Sequence, residues 1–115
     1  MAFEDFTVVF PLGGESYRCR FRNLITGIAP RHSDTVDVRF LVNGKPYSIG
    51  LAHPAFAEFK RRTGRSLTDA DSIQMAGLFL KRLLERGERL ESLYIPVSVP
   101  ETLQLAQEIR AVAFA

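Results

Sequence analysis

Apolar and polar residues alternate with little slack over the first half of the chain, and a helical period replaces the alternation in the second half. In ESYRCRFR, residues 15–22, Tyr17, Cys19 and Phe21 fall on one side of an extended strand, and Arg18, Arg20 and Arg22 on the other. The segment DFTVVFPL, residues 5–12, alternates in the same way, and the Gly13-Gly14 between them suits a two-residue hairpin turn. Pairing outward from that turn sets Phe10 opposite Tyr17, Val8 opposite Cys19 and Phe6 opposite Phe21. On the other face Asp5 meets Arg22, Thr7 meets Arg20 and Val9 meets Arg18. A slip of one residue would turn the apolar set to solvent, so the pattern predicts this register.

A second hairpin repeats the logic. Residues 36–42 (VDVRFLV) and 45–51 (KPYSIGL) flank Asn43-Gly44, the dipeptide best suited to a two-residue hairpin. There Phe40 faces Tyr47, Val38 faces Ile49 and Val36 faces Leu51, while Asp37 and Arg39 decorate the opposite face. Residues 23–35 carry Gly, Pro, Asn and Asp and read as an irregular connection, with room for the preceding strand to continue through Ile25.

Helical signals begin at Pro54, which suits a first helical position, and Gly64 ends that helix after Thr63. Thr68 and Asp71 form a capping-box pattern, and Gly87 closes the next helix near residue 86. Within it Ile73, Ala76, Gly77, Leu80, Leu83 and Leu84 follow the spacing of one helical face. Residues 92–98 (SLYIPVS) read as a late strand, which Pro96 confines to an edge or a bulge. Pro100 opens a last helix with Leu103, Ala106, Ile109 and Ala113 on one face. The expected fold is α+β: an antiparallel sheet of four to five strands, made of two N-terminal hairpins and a late edge strand, covered on one face by about three helices.

The length of 115 residues points to a single domain, residues 1–115, and a composition 46% hydrophobic with nine phenylalanines supports a core that needs no metal or disulfide. The single cysteine, Cys19, has no partner for an internal disulfide and calls for no oxidising compartment. The opening MAFEDFTVVF is acidic where a secretory leader would be basic, and no stretch approaches the roughly 20 apolar residues of a membrane span. A cytoplasmic protein without a membrane partner is expected. A net charge of +2 permits an acidic partner without demanding one.

Catalytic chemistry is sparse. Cys19 with His32 or His53 contains the ingredients of a thiol–imidazole pair, but Cys19 stands between Tyr17 and Phe21 on an apolar strand face, where cysteine behaves as a small hydrophobe. His53 precedes Pro54 and reads as a helix-entry residue, and His32 as a solvated loop residue. Asp69 and Asp71 form D-x-D, yet Ile73 and Gln74 occupy the positions where a calcium loop needs an oxygen and a glycine. Acidic residues in a first helical turn are explained by the helix dipole. No glycine pair has phosphate-loop spacing, and no two carboxylates present themselves as an acid–base pair. The chain is expected to be no enzyme, with no cofactor and no metal.

Two features exceed what folding requires. The first is basic charge: Arg18, Arg20 and Arg22 on one strand face, and Lys60, Arg61, Arg62 and Arg65 at the end of the first helix. Dipole stabilisation, about 0.3–1 kcal/mol per cation, accounts for one or two of the latter but hardly four. The second is excess apolar helix surface: Phe79 and Met75 widen the stripe of the capped helix beyond its core face and Leu78 lies apart from it, Leu105 and Val112 flank that of the last, and Phe114 stands in an uncharged ending. Stripes this broad are buried on two sides or held against another molecule. The leading expectation is a non-enzymatic binding or adaptor module acting through protein–protein contact, as a homo-oligomer, with Leu78, Phe79, Leu105, Val112 and Phe114 in the interface. The alternative is a nucleic-acid-binding accessory protein using Arg18, Arg20, Arg22, Lys60, Arg61, Arg62 and Arg65. Against it, the tyrosines and most phenylalanines are claimed by the core, which leaves no evident stacking platform.

Overall fold

The computed structural model of the protein describes residues 3–10, 12–27, 35–88, 90 and 92–111. Its elements are β1 (Asp5–Val9), β2 (Ser16–Gly27), β3 (Thr35–Val42), β4 (Lys45–Ala52), α1 (His53–Thr63), α2 (Asp69–Glu85), β5 (Tyr94–Pro96) and α3 (Val99–Arg110). The five strands lie side by side in chain order, with helices covering one face of the sheet. The α+β layout is as expected, with one correction. β5 pairs with β4 in parallel, so the sheet is mixed and not antiparallel throughout. Parallel neighbours need a crossover of a dozen or more residues, and α1 and α2 supply it by carrying the chain back along the sheet. Ser48 N–H donates to the Leu93 carbonyl at 2.8 Å and Val97 N–H to that of Gly50 at 2.9 Å, which fixes the short edge strand.

The second hairpin has the expected register, Phe40 against Tyr47, Val38 against Ile49 and Val36 against Leu51. Asn43 and Gly44 both take positive φ, 51° and 84°, as the mirror-image turn demands. The first hairpin differs. Phe6 pairs with Cys19, Val8 with Tyr17 and Asp5 with Arg20, a slip of two residues from the expected pairing. Only Gly14 takes positive φ, 67°, so the two-residue turn does not form; the Phe10 N–H instead donates to the Glu15 carbonyl at 2.8 Å and closes a longer loop. Because side chains repeat every second residue, a slip of two leaves each one on its own face. The alternation excludes a slip of one and is blind to a slip of two. β2 also runs further than expected, to Gly27, and a bulge between Phe21 and Asn23 leaves Arg22 extra.

Local signals place the helices. Gly64 at φ 74° stops α1 and donates to the Lys60 carbonyl at 2.8 Å. Thr68 and Asp71 make the capping box at the start of α2, and Ser98 caps α3 by accepting from Glu101 N–H. The core lies between sheet and helices, with Phe40, Ile49, Phe59, Met75 and Leu80 fully buried. Phe40 sits edge-on to Phe6 at 6.1 Å and to Phe21 at 6.2 Å. Thr102, also fully buried, donates to the Ser98 carbonyl and accepts from Ala52 N–H at 3.2 Å, which ties α3 to the end of β4.

The excess apolar surface of the helices is largely turned inward. α3 packs on both α1 and α2, so the wide stripe of α2 meets the sheet on one side and α3 on the other. Leu105, expected at an interface, is 3% exposed within a single chain. Leu78 and Phe79 are half-buried and packed against the core, and Phe79 and Leu105 line the same cleft between α2 and α3. Two ion pairs clamp these helices: Arg82 with both oxygens of Glu108, at 2.7 and 2.9 Å, and Arg110 with Asp71 at 2.7 Å. Val112 and Phe114 lie outside the described residues.

Candidate functional site

The face of the sheet turned away from the helices carries the expected arginine row and more. Arg18, Arg20 and Arg22 are exposed on β2, and Arg39 is exposed beside them on β3. Arg39 pairs with Asn23, and the bulge sets Arg22 next to that pair. The register slip decides which of these cations is neutralised. Sequence pairing places Asp5 opposite Arg22, but in the structure Asp5 receives two bonds of 2.8 Å from Arg18. Arg18 therefore holds the Asp5 carboxyl below the ordinary range, with Arg20 adding a weaker pull. Among the described residues Arg20, Arg22 and Arg39 donate no side-chain hydrogen bond and form no ion pair. Asp37, the other acid on this face, accepts from the Thr35 hydroxyl at 2.9 Å. Among the described residues, four guanidinium groups against two carboxylates leave the face with net positive charge.

An aromatic ring shares this face. Tyr94 on β5 pairs with Ser48, which pairs with Arg39, so tyrosine and arginine stand two strands apart, about 10 Å. The hydroxyl end of Tyr94 lies over Gly50: a Cβ built there would come within 2.1 Å of Oη and 2.6 Å of Cζ. Glycine in the middle of β4 is what admits the ring, while Tyr94 keeps 40% of its surface exposed. Leu41 is half-buried between Arg20 and Pro46, and Val9 and Ile25 are exposed further out. The Oδ1 of Asn23 is buried at the bulge with no hydrogen-bond partner among the described residues.

The second basic set belongs to another surface. Lys60, Arg61, Arg62 and Arg65 stand at the end of α1 in the helical layer, apart from the arginine row on the sheet. Arg61 and Arg62 converge on Glu58, whose carboxyl is pulled down to about 2 by the hydrogen bond from Arg61 and then that from Arg62. Half of this cluster is thus engaged with a carboxylate on its own helix.

The groups with catalytic potential are dispersed. Cys19 is fully buried, and that burial pushes its thiol up to about 12, far from a nucleophile at neutral pH. His53 is exposed at the start of α1 and stacks on Phe56 at 5.9 Å; His32 lies outside the described residues. Asp71 is consumed by its own helix end. Burial raises its pKa, but Arg110 and the backbone and hydroxyl of Thr68 outweigh this and leave it lowered. No group of three or more His, Cys, Asp or Glu residues placed to hold a metal ion occurs among the described residues. A cleft of about 460 Å³ opens at one end of the sheet, between Tyr17, Lys45, Tyr47, Leu84 and Leu90. Its rim acid Glu15 is engaged by the Tyr17 hydroxyl at 2.6 Å.

Tyr94 is the part of this face that sequence reasoning misses. Its signal is present all the same: strand alternation puts Tyr94 on the face opposite Ile95, and an isolated glycine in a strand marks a close approach. No described helix is long and apolar enough to cross a membrane. Compared with known proteins, the chain matches no family model, no curated protein and no solved structure.

Proposed function

We propose that this chain is a non-enzymatic binding module of the cytoplasm whose working surface is the sheet face away from the helices, and that its partner is anionic. The observation that carries the reading is that Arg20, Arg22 and Arg39 share that face with no side-chain hydrogen bond or ion pair among the described residues, Asp5 being bonded by Arg18 and only weakly drawn on by Arg20. Exposed cations without a carboxylate keep their charge available to a ligand, whereas Arg18 and Arg61 have theirs satisfied within the chain. The buried thiol, and His53 stacked on Phe56 rather than on that thiol, support a role without covalent catalysis.

Retention on immobilised heparin along a salt gradient tests the surface. The triple variant R20Q/R22Q/R39Q is expected to elute at clearly lower salt than the parent, and R61Q/R65Q close to it. Equal elution of parent and triple variant would remove the sheet face as the working surface, and a loss confined to R61Q/R65Q would move it to the end of α1.

A second reading, self-association, has its own observation. β1 is an open edge strand, and Val9 and Leu12 at its hairpin end are 57% and 91% exposed. Light scattering decides it. A mass above that of one 12.9 kDa chain supports self-association, and a monomer at high protein concentration removes it.

A further inference from the structure

Building on the anionic-partner reading, we infer that the partner is single-stranded nucleic acid, with Tyr94 as the ring on which a base stacks and Arg39, Arg22 and Arg20 as the contacts to its phosphates. A nucleotide combines a flat apolar base with an anion one short linker away, and this face offers the matching pair. The hydroxyl end of Tyr94 lies against the Gly50 backbone, where a Cβ would come within 2.1 Å of Oη, and 40% of the residue's surface stays exposed. A ring already immobilised loses little freedom when a base covers it. Ser48, a small side chain, stands between Tyr94 and Arg39, while Asp37 lies opposite Gly50 near the hydroxyl end of the ring. From Arg39 the row continues to Arg22 at the bulge and to Arg20.

The ligand is single-stranded because the geometry is flat. A base must be unstacked from its own helix to lie on a sheet-borne ring, which loops and single strands permit and a closed duplex does not. Among the described residues no helix or ribbon projects from this face to enter a major groove. An acidic peptide would use the arginines equally well but would make no use of the ring.

Fluorescence anisotropy with labelled oligouridylate and oligothymidylate, between roughly 50 and 200 mM salt, tests the assignment. Three phosphate contacts predict a log–log salt slope of about −2 for a single strand. The variant R20Q/R22Q/R39Q is expected to bring that slope near zero. Tyr94→Ala is expected to weaken binding about 5- to 150-fold at unchanged slope, the loss of one stacking ring, while Tyr94→Phe binds like the parent. All four side chains are exposed, so each variant should keep the parental circular dichroism and unfolding temperature. If poly-glutamate and heparin compete as well as the oligonucleotides, and Tyr94→Ala changes nothing, the nucleic-acid assignment fails while the anionic-partner reading stands. If the protein binds none of these polyanions, both fail.

Discussion

Phe40→Ala is expected to cost the folded protein about 3–5 kcal/mol, the usual range for a phenylalanine removed from a packed interior. Phe40 has no exposed surface and lies on the central strand of the sheet, edge-on to Phe6 and Phe21 from the two strands before it. Its removal deletes both aromatic contacts and leaves a cavity beneath α2 that strands fixed on both sides cannot collapse to fill. Domains of this size have a total stability of only about 5–15 kcal/mol, so the variant should unfold at markedly lower urea concentration. A loss below about 1 kcal/mol would mean that the ring is not at the centre of the core.

Leu105→Asp separates two accounts of the last helix. If Leu105 belonged to an interface between chains, a charge there would dissociate the assembly and leave each chain folded. At 3% exposure within one chain it should instead lower stability by about 3–6 kcal/mol, the sum of a lost leucine and a carboxylate buried without a partner. Aspartate is the informative choice. Arg82 and Arg86 line the cleft beside Leu105, and aspartate has a shorter reach toward them than glutamate. Urea unfolding together with light scattering reads the result. Reduced stability at unchanged mass supports the buried placement, and unchanged stability with a lower mass would restore the helical interface.

The surfaces most visible in the pattern were not the ones left open. The broad stripes of α2 and α3 suggest a partner because a helix face read alone has no neighbours. In the fold each of these helices has the other, and Leu105 and Phe79 face a common cleft. The arginine row was legible at once, since strand alternation alone puts Arg18, Arg20 and Arg22 on one face. Which of them is neutralised was not. That depends on the register against β1, and the pairing of Asp5 with Arg18 follows from a loop closed between Phe10 and Glu15.

What the chain determines by itself are the local and periodic features. Asn43-Gly44 sets its hairpin because two successive residues must accept positive φ, and Thr68 with Asp71 starts α2 because their side chains reach its first free N–H groups. Alternation likewise assigns Cys19, Val38 and Ile49 to the inner face whatever their strand neighbours are. Only the tertiary structure decides quantities that involve distant partners. The two-residue slip of β1 on β2 leaves every face unchanged, so no pattern of apolar residues can report it. The parallel course of β5 follows from the path of α1 and α2. The seat of Tyr94 on Gly50 joins positions 44 residues apart, and each looks ordinary until the strands bearing them are neighbours. Local backbone preferences act within a few residues, whereas covering a face depends on which other surface the folded chain brings to it.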